Sequence, residues 1–456
     1  MSSAKEKLRE AWLFATSPAK FLAMINIICA ALSFITGIVT ARILGPGLIG
    51  ITAIILGVGN TINAFLDVRL PELAGKLYYK DDMETPEEKQ RHRASVLVIC
   101  VSFLGVQSLL LFLLTIGISL VAISHFTDSE VRLSWIIGAA FFVATTRWGN
   151  SFRFLLRFSN KFYLLGVWKL IGQLASMAIL IPIIAVMRNI DGYFLGRVIY
   201  GAVNLLMFTS VTLYVWTRMQ HLPIFRRDIF DKLPLYLKEY RFLIFGNLLG
   251  YAKMLHRGID VLVVGRFCDD ETTGVYRVAR TLTDSLYLLF EAFNQVYFPK
   301  FLELMSKKMK SEYGRLVGRI LRMVAVLTAG LFLGEWLVFP HLIAPVMSEK
   351  FVGVGLEMTV IIMTIPFFFV TGVQLWVWPM FVSGNRIGAF TVLTFVACIV
   401  QYAVILILNS IFTPSAFTGA AALSSHYLFL YPILALLAFK WFPDYLYIGK
   451  SDGGIS

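Results

Sequence analysis

The residues with the most chemistry to offer are ionisable side chains embedded in apolar sequence. The stretch KMLHRGID at 253–260 holds Lys253, His256, Arg257 and Asp260. Spacings of four and three put Lys253, Arg257 and Asp260 on one face of a helix. Arg277, Arg280 and Asp284 follow at spacings of three and four, with Glu291 two turns further on. Lys169 and Arg197 stand alone in earlier apolar stretches, and Arg42 and Arg266 stand near the ends of others. At the middle of a bilayer each such group costs at least about 2.5–3.5 kcal/mol, so it faces water inside the protein or meets a partner. Pairs such as Arg257–Asp260 or Arg280–Asp284 would act as structural locks, and snorkelling accounts for Arg42, Arg266 and Lys169. Neither explains why Lys253, Arg257, Arg277 and Arg280 outnumber Asp260 and Asp284 until Glu291 is included. An aqueous cavity with surplus positive charge does, and it suits an anionic passenger. Lys253 and Arg257 are the first candidates to hold that passenger, with Arg277, Arg280, Arg42 and Arg197 extending the positive surface. Asp260, Asp284 and Glu291 are the candidates for coupling to a proton or sodium gradient.

Other chemistry is absent from the pattern. No HExxH or GxSxG occurs, and GKS at 449–451 lacks the leading glycine of a phosphate loop, since Asp444 stands there. Cys29, Cys100, Cys268 and Cys398 are far apart, with no CxxC and no Cys/His cluster. The expectation is a protein that is no enzyme and uses no metal or cofactor. Aromatic clusters such as WVWPMF (376–381) and YLFLY (427–431) read as packing and interfacial anchors. Glu335 and Glu357 have no evident role.

The elements that must position these residues follow from composition. Of 456 residues 58% are apolar and 15% charged, against roughly 25% charged in a soluble protein. A mean hydropathy of +0.74 excludes disorder, collagen and coiled coil, and leaves an all-α polytopic membrane protein. Twelve stretches are long enough to span: 21–41, 47–66, 95–123, 133–150, 162–187, 193–217, 241–267, 274–297, 317–340, 355–383, 387–410 and 417–440. The third and tenth are over-long, and Pro366 and Pro379 offer breaks in the tenth. The net charge of +13 reflects Lys and Arg between the spans and not nucleic-acid binding. With the N-terminus in the cytosol, 30 of the 41 Lys and Arg fall on the inner side and at most 6 on the outer, so both termini are expected to be cytosolic. Residues 1–12 read as an amphipathic lead-in and not a signal peptide. The polar interruption at 218–240 divides two six-helix lobes, 1–217 and 241–456. A short repeat marks both: an Arg ends the odd helix and a Gly opens the even one, at Arg42–Gly50 and Arg266–Gly274.

Five segments in chain order resemble those of the polysaccharide flippases of the multidrug/oligosaccharidyl-lipid/polysaccharide exporter superfamily. They are TARILGPGLIG (40–50), RGIDVLVVGRFCDDETTGVYRVARTL (257–282), VYFPKFLEL (296–304), PVMSEKFVGVG (345–355) and TPSAFTGAAAL (413–423). Ser348 stands where a glycine is usual, and Ala416 and Phe417 replace a Tyr-Gly pair. The resemblance implies two pseudo-symmetric six-helix lobes around a central cavity with alternating access, in the inner membrane. It implies a cargo of undecaprenyl-diphosphate-linked oligosaccharide moved outward for O-antigen, capsule or exopolysaccharide assembly, with membrane lipids and a polysaccharide polymerase as partners. A drug/cation antiporter of the same superfamily generally carries an acidic residue in its first helix, and residues 21–41 hold none. A peptidoglycan-precursor flippase resembles a fourteen-helix version of the fold. A membrane assembly factor without transport is the remaining alternative.

Overall fold

A computed structural model describes residues 18–67, 85–158, 161–214, 217, 240–384 and 386–446. The lead-in, nearly all of the 218–240 linker and the GKS segment lie outside them. The described residues are helical throughout, with no strand among them. The first six long helices are α1 (Pro18–Leu44), α2 (Pro46–Phe65), α3 (Pro86–Ala122), α4 (Leu133–Phe158), α5 (Phe162–Met187) and α6 (Ile190–Tyr214). They are followed by α7 (Tyr240–Arg257), α8 (Asp260–Phe267), α9 (Asp270–Ser306) and α10 (Lys310–Leu337). The last are α11 (Leu356–Thr364), α12 (Gln374–Ser383), α13 (Ile387–Ile411) and α14 (Ala416–Trp441).

Among the described residues nine helices or helix pairs are long and apolar enough to cross a bilayer. The other three expected spans are helical too, as α4, α7 with α8, and α9, and these carry the charges in question. Local chemistry sets the ends. Thr85 caps α3 by accepting from the Glu88 amide at 3.2 Å, with Pro86 at the first helical position. Asp269 caps α9 through the Thr272 amide at 2.8 Å, and Ser415 with Thr418 forms a reciprocal capping box on α14. Of the two prolines in the tenth span, only Pro366 coincides with a break: α11 stops at Thr364, and a π-helical turn (Phe369–Val373) intervenes before α12. Pro379 is accommodated inside α12.

The chain divides into two compact units. The first comprises residues 1–44 and 54–254. Its core joins Leu97, Cys100 and Leu104 of α3 to Leu155 of α4, Leu165 of α5 and Phe208 of α6. Leu109, Leu113 and Val121 on the other side of α3 are exposed, as lipid-facing residues should be. The second unit comprises residues 45–53 and 255–456, with Tyr276, Tyr313, Phe367 and Trp376 fully buried.

Within the second unit the repeat found in the sequence becomes a helix crossing. A Cβ added to Gly50 would lie 1.8 Å from the Asp270 carbonyl oxygen, and one added to Gly274 would lie 1.8 Å from that of Pro46. Each glycine sits on the carbonyl four residues before the other, so the contact is locally two-fold. Small residues let backbones in membranes approach this closely, where packing and Cα–H···O contacts replace the hydrophobic effect. Ser348, the departure from the usual glycine, has φ 150° and ψ 168°, a region nearly reserved for glycine.

Candidate functional site

The seventh span is two helices. α7 ends at Arg257, the chain turns at Gly258, and Asp260 opens α8. Carbonyls near the break need partners, and α13 supplies them: the Leu255 carbonyl accepts from the Tyr402 hydroxyl, and that of His256 from the Gln401 amide at 3.3 Å. The expectation that Lys253, Arg257 and Asp260 share one helix face is therefore corrected. Lys253 and Arg257 keep one-turn spacing on α7, whereas Asp260 belongs to a new helix and meets α9 instead.

On α9, Tyr276, Arg280 and Asp284 recur every four residues along one face. Arg280 contacts Asp260 directly, with side chains only 5% and 3% exposed. The Tyr276 hydroxyl donates to the same Asp260 oxygen at 2.7 Å. Arg280 Nε donates to Asp284 Oδ2 at 3.1 Å, and Asp284 Oδ1 lies 3.4 Å from Arg257 Nη2. Arg257 donates from Nε to the Tyr427 hydroxyl at 2.8 Å and faces the rings of Tyr287 and Tyr427 at 5.5 and 5.8 Å.

Two cations and two carboxylates balance in this network. Lys253 and Arg277, the two cations in excess of the aspartates, stand outside it, and the pairing removes Arg280 from the cations open to a passenger. A guanidinium this deep is retained by carboxylates in contact with it. Arg257 differs, because its side chain is 40% exposed and its Asp284 contact is loose. Arg277 is half-buried and forms no ion pair among the described residues. Lys253 and Glu291 lie on α7 and α9, but their side chains are outside the described set.

In the first unit two intramembrane cations meet neutral groups. Lys169 on α5 donates to Asn26 of α1. Arg197 donates to the Tyr193 hydroxyl at 3.0 Å and lies 4.6 Å from the Phe142 ring centre. Arg42 is exposed in the last turn of α1, where a cation suits the helix's carbonyl end. Arg147 is buried on α4 and donates to Gln107 and Asp67, both at 2.9 Å.

Several site residues have no signal in the chain. Tyr427 and His426 come from α14, where His426 stacks on His256 with ring centres 4.1 Å apart. Glu335, buried on α10, accepts from Thr364 of α11 at 2.9 Å. Only the YLFLY cluster points to α14, and it suggests packing. No group of three or more metal-ligating side chains occurs among the described residues.

These helices build a polytopic transporter fold. The lipid II flippase MurJ, in an inward closed conformation, superposes with a TM-score of 0.65 at 14% identity, over 94% of this chain and 89% of that one. The eukaryotic MATE transporter AtDTX14 gives 0.60 at 13% identity, over 95% and 96%. The MATE multidrug transporter DinF-BH gives 0.54 at 14%, over 96% of each chain. No curated protein matches the sequence. The chain matches the polysaccharide biosynthesis protein family over residues 19–305 and belongs to that family. The fold is thus one also found in solved membrane transporters, and the family is one of polysaccharide biosynthesis proteins.

Proposed function

We propose that this protein is a flippase that carries an undecaprenyl-diphosphate-linked oligosaccharide from the inner to the outer leaflet by alternating access. The oligosaccharide would supply O-antigen, capsule or exopolysaccharide assembly. The reading includes an inner-membrane location, cytosolic termini, lobes at 1–217 and 241–456 joined by an amphipathic link, and a polymerase that takes up the exported unit. Family membership supports the polysaccharide pathway. The observation that carries the anionic lipid is Arg257: it lies at a helix break inside a span, 40% exposed, with one firm hydrogen bond, to Tyr427.

A guanidinium has five N–H donors, so Arg257 retains donors for a diphosphate. Lys253, one turn earlier, would add a movable point charge. Arg277 would extend the positive surface, and Arg42 and Arg197 remain further candidates. The tyrosine faces around Arg257 hold its side chain without neutralising it, which suits a ligand that must be released. Asp284, shared between Arg257 and Arg280, is the better placed coupling carboxylate, because Asp260 is committed to Arg280 and Tyr276.

The test is reconstitution of the full chain in liposomes with undecaprenyl-diphosphate-linked oligosaccharide in the inner leaflet. An external glycosidase should gain access to the glycan faster than in protein-free vesicles. Equal rates with and without protein, under every imposed gradient, would contradict the reading.

A further inference from the structure

Glu335 stands apart from every other intramembrane charge described. It lies near the end of α10 and is 8% exposed, while its neighbours Leu333, Trp336 and Leu337 are exposed to the lipid side. Its Oε2 atom is buried with no hydrogen-bond partner, and it forms no ion pair among the described residues. No other ionisable residue occurs on α10 between Arg322 and Glu335, a distance of about 20 Å along the helix.

Among the described residues, no charged group on the elements packed against α10 forms an ion pair with Glu335. On α9, Arg280 and Asp284 bind each other, and Arg277 forms no ion pair among the described residues. On α11 Glu357 lies two turns before Thr364. The short helix Phe339–Leu342 offers His341, and Pro443–Leu446 offers Asp444, which pairs with Lys310 at the other end of α10. The turn Phe369–Val373 carries no titratable group.

The hydrogen bonds around Thr364 count protons. Its hydroxyl oxygen lies 2.9 Å from Glu335 Oε1 and 3.0 Å from the Val360 carbonyl. One hydroxyl has one proton, and both a carboxylate and a carbonyl only accept. With Glu335 ionised, one of the two contacts has no proton. With Glu335 protonated, its O–H donates to Thr364, whose hydroxyl donates to Val360, and both contacts are satisfied. An unpaired carboxylate this deep is also far more costly than the neutral acid. Thr364 is the last residue of α11, directly before the break at Pro366, so the charge on Glu335 is joined to the kink of the tenth span.

We propose that Glu335 is a proton-binding site that loads and releases one proton per transport cycle, with Thr364 passing its charge state to the kinked tenth span; the transport part rests on the flippase reading. On release the proton goes to water, the Thr364 hydroxyl turns to the carboxylate, and the Val360 carbonyl loses its side-chain bond. A proton fits better than sodium, because the site offers one carboxylate and one hydroxyl where a bare cation needs a fuller oxygen shell.

Infrared difference spectroscopy on the full chain in liposomes reads the site directly. Glu335→Gln keeps the size of the neutral acid and can donate to Thr364, so it should fold. The wild type should show the carbonyl stretch of a protonated, desolvated carboxyl at neutral pH that disappears at high pH. Glu335→Gln should lack that band, and Thr364→Val should shift it. Glycan exposure by Glu335→Gln should respond less to a pH gradient than exposure by the wild type does, any remaining response falling to Asp284. An identical band in wild type and Glu335→Gln would overturn the proposal, as would loss of the band on adding sodium at constant pH. An undiminished gradient response in Glu335→Gln would overturn the coupling role. Failure of the wild type to expose the glycan would count against the flippase reading alone, because the infrared band still reports the proton.

Discussion

The two compact units solve the same problem, a cation inside a membrane, in different ways. In the second unit Arg280 is locked between Asp260 and Asp284, and Arg257 reaches the second of these carboxylates. In the first unit Lys169 and Arg197 rest on an asparagine, a tyrosine hydroxyl and aromatic rings. Arg147 has Asp67, but that carboxylate is half exposed. The contrast separates charge that holds the fold from charge that remains electrically uncompensated. Composition alone places the surplus in the seventh and eighth spans. The structure pairs Arg257 and Arg280 there with Asp260 and Asp284, while Lys169 and Arg197 in the first unit meet neutral partners.

The largest effect should come from breaking the buried pair. Asp260→Asn leaves Arg280 without its closest counter-charge and should cost about 3–5 kcal/mol, seen as loss of folded, detergent-soluble protein. Adding Arg280→Met should restore much of the yield, because the uncompensated charge then disappears with its partner. If Asp260→Asn unfolds no more readily than the wild type, the pair is not a structural lock.

At the other extreme, Lys169→Met in the first unit removes a cation that has no carboxylate to abandon. Its thermal unfolding in detergent should change by about 1 kcal/mol or less. A loss as large as that of Asp260→Asn would erase the distinction between the units.

What can be read in the chain, and what cannot, follows the range of each signal. A span is a local property, so all twelve apolar stretches are visible, as is the Arg–Gly repeat that proves to be the Gly50–Gly274 crossing. The candidates Arg257, Arg280, Asp260 and Asp284 are visible because charge in apolar sequence is conspicuous. Of their pairing only Arg280–Asp284, four apart on one helix, is legible. Helical spacing joins Arg257 to Asp260 only if the helix is unbroken, and Gly258 breaks it. The partners that decide the chemistry, Tyr427 for Arg257 and Thr364 for Glu335, are 170 and 29 residues distant. No spacing rule reaches that far. Arg147 escapes for a similar reason: hydropathy registers its charge but cannot register Asp67 and Gln107 folding onto it.

The contrast with most at stake is the proposal that Arg257, unlike Arg280, binds cargo together with Lys253, one turn earlier on α7. Glycan export measured beside folded yield for Lys253→Ala/Arg257→Ala, with Arg257→Lys as the conservative control, decides it. The double variant should be stable and export no lipid-linked glycan. Arg257→Lys should export in part, since a lysine keeps the charge but loses the fork of donors. Normal export from a stable double variant would rule out a cargo-binding role for these two cations.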